Sequence, residues 1–160
     1  MRALSTMRRK QGGFTLMEAM AVAAILGIVT LTAFPLVRSV VREQKEMQLR
    51  LALDKLRHAI DEYKRYCDAG LLGELEIGSR CYPVDLETLL EPVQLVGQPP
   101  ESQVRFLNRI PVDPMTREAD WGLRSYEDDP DSDYWGGEDV YDVFSSSDRT
   151  GLNGVPYSEW

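Results

Sequence analysis

Residues 14–37 read FTLMEAMAVAAILGIVTLTAFPLV, twenty-four positions with one charge, Glu18. A helix rises about 1.5 Å per residue and about 20 apolar residues cross a hydrocarbon core, so the run is long enough to span a bilayer. Such a segment near the start of a chain is either a secretory signal or a retained membrane helix. A secretory signal has an apolar core of about 7 to 15 residues and is cut on its far side. Here the run is longer, and the small pair Gly12-Gly13 lies before it. Both features favour a retained helix. Glu18 is compatible with that reading, because in the first turn it lies near the interface and the positive end of the helix dipole. It then costs less than the roughly 2.5–3.5 kcal/mol of a charge at the bilayer centre.

Charge is distributed along the chain in the same sense. Arg2, Arg8, Arg9 and Lys10 precede Gly13 with no acid among them, and the whole chain is −8. Residues 111–160 hold thirteen acids against Arg117, Arg124 and Arg149. A basic start, an apolar span and an acidic remainder predict a chain that keeps its first residues in the cytoplasm and exports the rest. The acidic balance argues against nucleic acid as a partner. One histidine and two cysteines without a Cys-x-x-Cys spacing exclude zinc-finger and iron-sulfur readings. No nucleophile, base or metal constellation appears, so the chain is not expected to be an enzyme; His58, among charged residues, reads as a surface or packing residue.

The stretch Arg8-Arg9-Lys10-Gln11-Gly12-Gly13-Phe14-Thr15-Leu16-Met17-Glu18 resembles the class III signal of type IV pilins and of the pseudopilins of type II secretion. The resemblance implies cleavage after Gly13 by a membrane-embedded prepilin peptidase and methylation of the new amino terminus at Phe14. It also implies an assembly role for Phe14 and Glu18: the ammonium group created at Phe14 would be neutralised by Glu18 of a neighbouring subunit within a bundle of apolar helices. The resulting domain plan is a cleaved leader at 1–13, a transmembrane and assembly helix at 14–37, an amphipathic helix at 38–68, and a periplasmic head at 69–160.

Past Pro35 the pattern turns amphipathic. Leu49, Leu53, Leu56, Ile60, Tyr63 and Cys67 recur at steps of three and four, one stripe of a 3.6-period helix, while Glu43, Lys45, Glu46, Arg50, Arg57 and their neighbours read as a solvated face. A helix from 14 to 68 would measure about 80 Å. Gly70 suits its C-terminal cap, and Gly27 and Pro35 are its weak points. The implied fold class is α+β, a pilin fold whose long N-terminal helix packs on a small C-terminal antiparallel sheet.

Within the head, Cys67 and Cys81 form either a disulfide or a pair of reduced buried thiols, and an oxidising compartment beyond the membrane favours the disulfide. A short helical or turn pattern covers 84–90, and Gln98-Pro99-Pro100 reads as a loop. Residues 121–126 and 140–145 are strand candidates across an acidic turn, with Trp121, Trp135, Tyr141 and Phe144 expected to pack on the helix stripe. Asp129-Pro130-Asp131-Ser132-Asp133 lacks the glycine and glutamate of an EF-hand. The segments Arg109-Ile110-Pro111-Val112-Asp113-Pro114 and Trp121-Gly122-Leu123-Arg124-Ser125-Tyr126 resemble those leading into the sheet of major pseudopilins. That likeness implies a calcium site near the C-terminal segment, with Asp148 matching the first acidic ligand and Ser147 and Asn153 beside it.

Together these features are similar to a type II secretion pseudopilin. They imply a single-pass protein of the bacterial inner membrane with a periplasmic head. It would assemble with its own copies and other pseudopilins into a helical filament, served by prepilin peptidase, an assembly ATPase and an inner-membrane platform. The alternative is a type IV pilin or minor pilin for adhesion, motility or DNA uptake.

Overall fold

The structure, a computed structural model, describes residues 13–73, 80–99, 101–129, 132 and 134–160, and of 31–38 the backbone alone. The basic leader up to Gly12 and most of the Asp129–Asp133 alternation lie outside the described residues. The fold class is α+β, a long N-terminal helix followed by small antiparallel sheets, consistent with the pilin fold. Helix α1 spans Leu16–Asp68, 53 residues. Two pairs of strands follow: β1 (Val93–Gln94) with β2 (Gln103–Val104), and β3 (Trp121–Arg124) with β4 (Asp142–Ser145). Short 3-10 turns occupy Glu87–Leu90 and Tyr157–Glu159. By its contacts the chain divides between Val41 and Arg42 into two compact units.

In the first unit every described residue from 13 to 30 is exposed. The helix carries no break at Gly27 or Pro35, although those residues were its expected weak points. Among the described residues no helix is long and apolar enough to cross a membrane. The side chains of 31–38, which complete the apolar run, are outside that description.

In the second unit the helix ends where its sequence says it should. Gly70 takes φ +69°, a left-handed conformation that glycine adopts without a Cβ penalty. Its N–H donates to the Cys67 carbonyl at 2.8 Å and the Leu71 N–H to the Tyr66 carbonyl at 3.0 Å. These two bonds are a Schellman cap, satisfying carbonyls that the helix end would otherwise orphan.

The expected stripe is the core. Leu49, Leu53, Leu56, Ile60, Tyr63 and Cys67 are all buried, the first five in one cluster with Leu86, Leu89, Leu107, Met115, Trp121, Val143 and Tyr157. Each fully buried Leu or Ile contributes about 1.5–3 kcal/mol of burial free energy, so covering this helix face supplies a large share of the head's cohesion. Trp121 and Phe144 are buried and Trp135 packs on the core's edge, but Tyr141 is 48% exposed and faces outward, against expectation.

The predicted hairpin forms, with Trp121 opposite Ser145 and Arg124 opposite Asp142. Both strands are two residues shorter than expected. The reason is competition for backbone donors: the Ser125 N–H goes to Asp128 Oδ2 at 2.7 Å and the Tyr126 N–H to Asp139 Oδ1 at 2.9 Å. Gly122 is required opposite Phe144, since a Cβ there would lie 2.2 Å from its ring. The sheet is therefore two separate two-stranded ladders, the β1–β2 pair enclosing the loop read at Gln98-Pro99.

Candidate assembly and processing segment

The helix start is built by local hydrogen bonding. The Glu18 N–H donates to Thr15 Oγ1 at 3.3 Å, and the Ala19 N–H to the Thr15 carbonyl at 3.0 Å. Thr15 is thus the N-cap and Glu18 sits three residues on, the T-x-x-E arrangement of a capping box. A carboxylate in this first turn is also favoured by the helix dipole. Gly13 and Phe14 lie outside the helix, immediately before this cap, and a Cβ on Gly13 would meet nothing within 4 Å. That places the implied cleavage bond in an exposed stretch next to a well-formed helix end.

Beyond the cap the exposed surface is almost entirely apolar. Leu16, Met17, Met20, Ile25, Leu26, Ile28 and Val29 point outward around the whole helix, and Phe14 before the cap is exposed as well. Thr30 donates its hydroxyl to the Leu26 carbonyl at 2.7 Å, so this polar side chain is satisfied within the helix. A helix apolar on every side requires cover by lipid or by other helices.

In the second unit, α1 is tied to the C-terminal segment by groups read from sequence as solvated. Glu46 is 7% exposed; its Oε1 accepts from the Tyr157 hydroxyl and from the Leu152 N–H, each at 2.8 Å, and pairs with Arg42 at 3.4 Å. Arg42 also donates to the Thr150 carbonyl. Burial, with Glu46 beside it, pushes the Tyr157 phenol above its ordinary value, and the Arg42 guanidinium acts in the opposite direction. Arg57 spreads its donors over Asp142 Oδ1 at 2.7 Å, the Val143 carbonyl at 3.0 Å and the Trp160 carbonyl at 2.7 Å. Glu46 and Arg57 therefore belong to the packing between α1 and the end of the chain, a correction to the charged-face reading.

Cys67 and Cys81 are joined by a disulfide, their Cα atoms 5.5 Å apart. It staples the last turn of α1 to the head. Replacing both with serine should lower stability by about 3 kcal/mol on the chain-entropy estimate for a loop of this size. Urea unfolding followed by tryptophan fluorescence measures this, and a loss below about 1 kcal/mol would mean the loop is held by packing alone.

The residues implied for calcium lie on the C-terminal segment that follows Phe144. Ser147 is buried with its N–H on Ser145 Oγ at 3.3 Å, Asp148 is exposed, and exposed Asn153 spends its Oδ1 on the Val155 N–H at 3.1 Å. Among the described residues no group of three or more His, Cys, Asp or Glu is placed to hold a metal. Calcium takes about six to eight oxygens, and Asp148 is the one carboxylate offered by these three residues.

One carboxylate whose buried role the sequence did not indicate ties a loop to the β3–β4 hairpin. Asp113 is fully buried; its Oδ1 accepts from the Met115 N–H at 2.6 Å and its Oδ2 from the Ser145 hydroxyl at 2.5 Å. Two residues earlier, the Pro111 carbonyl accepts from Trp121 Nε1 at 2.9 Å. The Pro-x-Asp-Pro segment is thereby fixed to both strands of the β3–β4 hairpin. The available signal was an acid between two prolines, which cannot be on a helix face.

No curated protein and no solved structure matches the chain. Residues 8–34 match a family model described as the prokaryotic N-terminal methylation motif, and the chain therefore carries the N-terminal signature typical of type IV pilins and pseudopilins.

Proposed function

We propose that the chain is a structural subunit of a periplasmic pseudopilus that helps drive protein export through a type II secretion system. The observation that carries the reading is the methylation motif laid over a capped helix whose exposed side chains beyond Glu18, from 19 to 29, are apolar. In this reading prepilin peptidase removes residues 1–13, Phe14 is methylated, and 14–37 remain in the inner membrane until copies assemble through them. The assembly ATPase and inner-membrane platform supply the work, other pseudopilins join the filament, and the chain itself performs no catalysis. The likeness of 109–114 and 121–126 to the sheet-entry segments of major pseudopilins supports secretion over surface pili.

Mass spectrometry of the amino terminus tests the class directly: the mature chain should begin at Phe14 with one added methyl group. Material beginning downstream of the apolar run, or functional material retaining Met1, would overturn it. Substituting Gly13 with tryptophan should leave the chain at its unprocessed mass in the inner membrane with no filaments. Filaments of this chain on the cell surface, with secretion intact in its absence, would instead identify a type IV pilin.

A further inference from the structure

The outer end of the β3–β4 hairpin combines three features that the assembly reading does not use. Tyr82, Tyr126 and Tyr141 form a ring cluster with centroids 5.3–6.0 Å apart, and Tyr126 and Tyr141 remain 57% and 48% exposed. Beside them lies a cavity of about 310 Å³ lined by Arg124, Ser125, Tyr126, Asp128, Tyr141 and Asp142. The surrounding segment is acidic: Glu127, Asp128, Asp129, Glu138, Asp139 and Asp142 are all described, with no basic residue between Ser125 and Asp142.

The cluster already receives cations from its own chain. Lys64 Nζ lies 4.7 Å from the Tyr82 ring centroid, and the Arg80 guanidinium carbon 5.4 Å from that of Tyr126, where Arg80 also pairs with Glu127. The cation lining the cavity does not oppose a further one strongly. Arg124 donates to the Ser158 carbonyl at 3.1 Å, lies 4.4 Å from the Phe144 ring centroid, and has Asp142 at 3.9 Å. Asp128 is fixed in place because its Oδ2 accepts from the Ser125 N–H at 2.7 Å and the Gly136 N–H at 3.1 Å.

We propose that this cavity is a docking site for an arginine side chain of a partner polypeptide. Charge complementarity selects a basic group, and the tyrosine rings with the Asp128 carboxylate select a guanidinium. A planar cation stacks on an aromatic face while its fork of donors reaches a carboxylate. Nucleic acid is excluded by the sign of the surface. A cavity near the lower end of the ligand-site range suits one side chain rather than a folded segment.

The test uses the full chain in detergent micelles, labelled with 3-fluorotyrosine, and N-acetyl-argininamide as probe. Fluorine resonances assigned by Tyr126→Phe and Tyr141→Phe should shift saturably with a dissociation constant of about 1–10 mM. The neutral isostere N-acetyl-citrullinamide should bind about tenfold more weakly or worse. D128N keeps an oxygen for Ser125 and Gly136 and should weaken binding severalfold without moving the thermal midpoint; Y141L should abolish it. If Y141L fails to fold, D128N and the citrulline comparison decide. Equal response to both amides, shifts confined to other tyrosines, or no saturation by about 100 mM would overturn the proposal. So would stronger displacement of the same resonances by maltose, which would make the site a carbohydrate platform.

Discussion

Replacing Asp113 with leucine should destabilise the unit formed by residues 42–160 by about 3–5 kcal/mol, the range seen when one partner of a buried polar arrangement is removed. The side chain is fully buried and both of its oxygens are in use. Leucine would leave the Met115 N–H and the Ser145 hydroxyl without an acceptor inside the core, and each such group costs about 1–3 kcal/mol. The damage should spread beyond the loop. Ser145 is the last residue of β4, its hydroxyl also accepts from the Ser147 N–H, and Trp121 opposite it reaches back to the Pro111 carbonyl. Asparagine is the informative comparison, because it keeps one acceptor for Met115 and the Ser145 hydroxyl can rotate to accept from the amide. It should cost about 1–2 kcal/mol. Urea unfolding with the disulfide intact, read through tryptophan fluorescence, measures both. If leucine and asparagine are equally mild, below about 1 kcal/mol, Asp113 is not the anchor of this loop.

The contrast between Asp113 and the stripe on α1 shows what local pattern conveys. Leu49, Leu53, Leu56, Ile60, Tyr63 and Cys67 were legible because a helix repeats every 3.6 residues and one apolar face must be covered. The end at Asp68 was legible because Gly70 is the one cheap residue for the left-handed cap. Glu46 and Arg57 were misread for the same reason that the stripe was read well: periodicity sorts side chains by polarity, and a buried acid counts as outward. Their partners are Leu152, Tyr157, Asp142 and Trp160, between 85 and 111 positions away. Nothing within a helical window reports such distant acceptors and donors. The β1–β2 pair escaped notice because two residues per strand, with Gln94 opposite Gln103, contain no alternation to detect. A strand running through 140–145 would turn Tyr141 to the same face as Val143 and Ser145, but β4 begins only at Asp142.

Replacing Glu18 with glutamine should leave processing intact and reduce filament assembly at least about a hundredfold. The variant separates two roles that one carboxylate can fill. At the helix start Glu18 stands at the third position after the Thr15 N-cap, where glutamine serves as well as glutamate. The helix should therefore begin at the same residue, and the peptidase should meet the same exposed Gly13–Phe14 bond. In the proposed filament, cleavage leaves an ammonium group on Phe14 among helices whose described surface from 19 to 29 is apolar. An uncompensated charge in such surroundings costs about 3–5 kcal/mol, and each 1.4 kcal/mol is a factor of ten in association. Glutamine supplies an acceptor but no charge, so most of that cost should appear as lost assembly. Alanine at the same position also removes the side-chain acceptor at the third position after the N-cap and should lower helix stability by a further few tenths of a kcal/mol to about 1 kcal/mol. The readouts are the N-terminal mass, which should still show methylated Phe14, and the amount of sheared or sedimented polymer. If the glutamine variant polymerises like the parent, the carboxylate acts only on its own helix and the pairing between subunits is wrong. The identity of the mature first residue would stand unaffected, since it is measured separately on the unsubstituted chain.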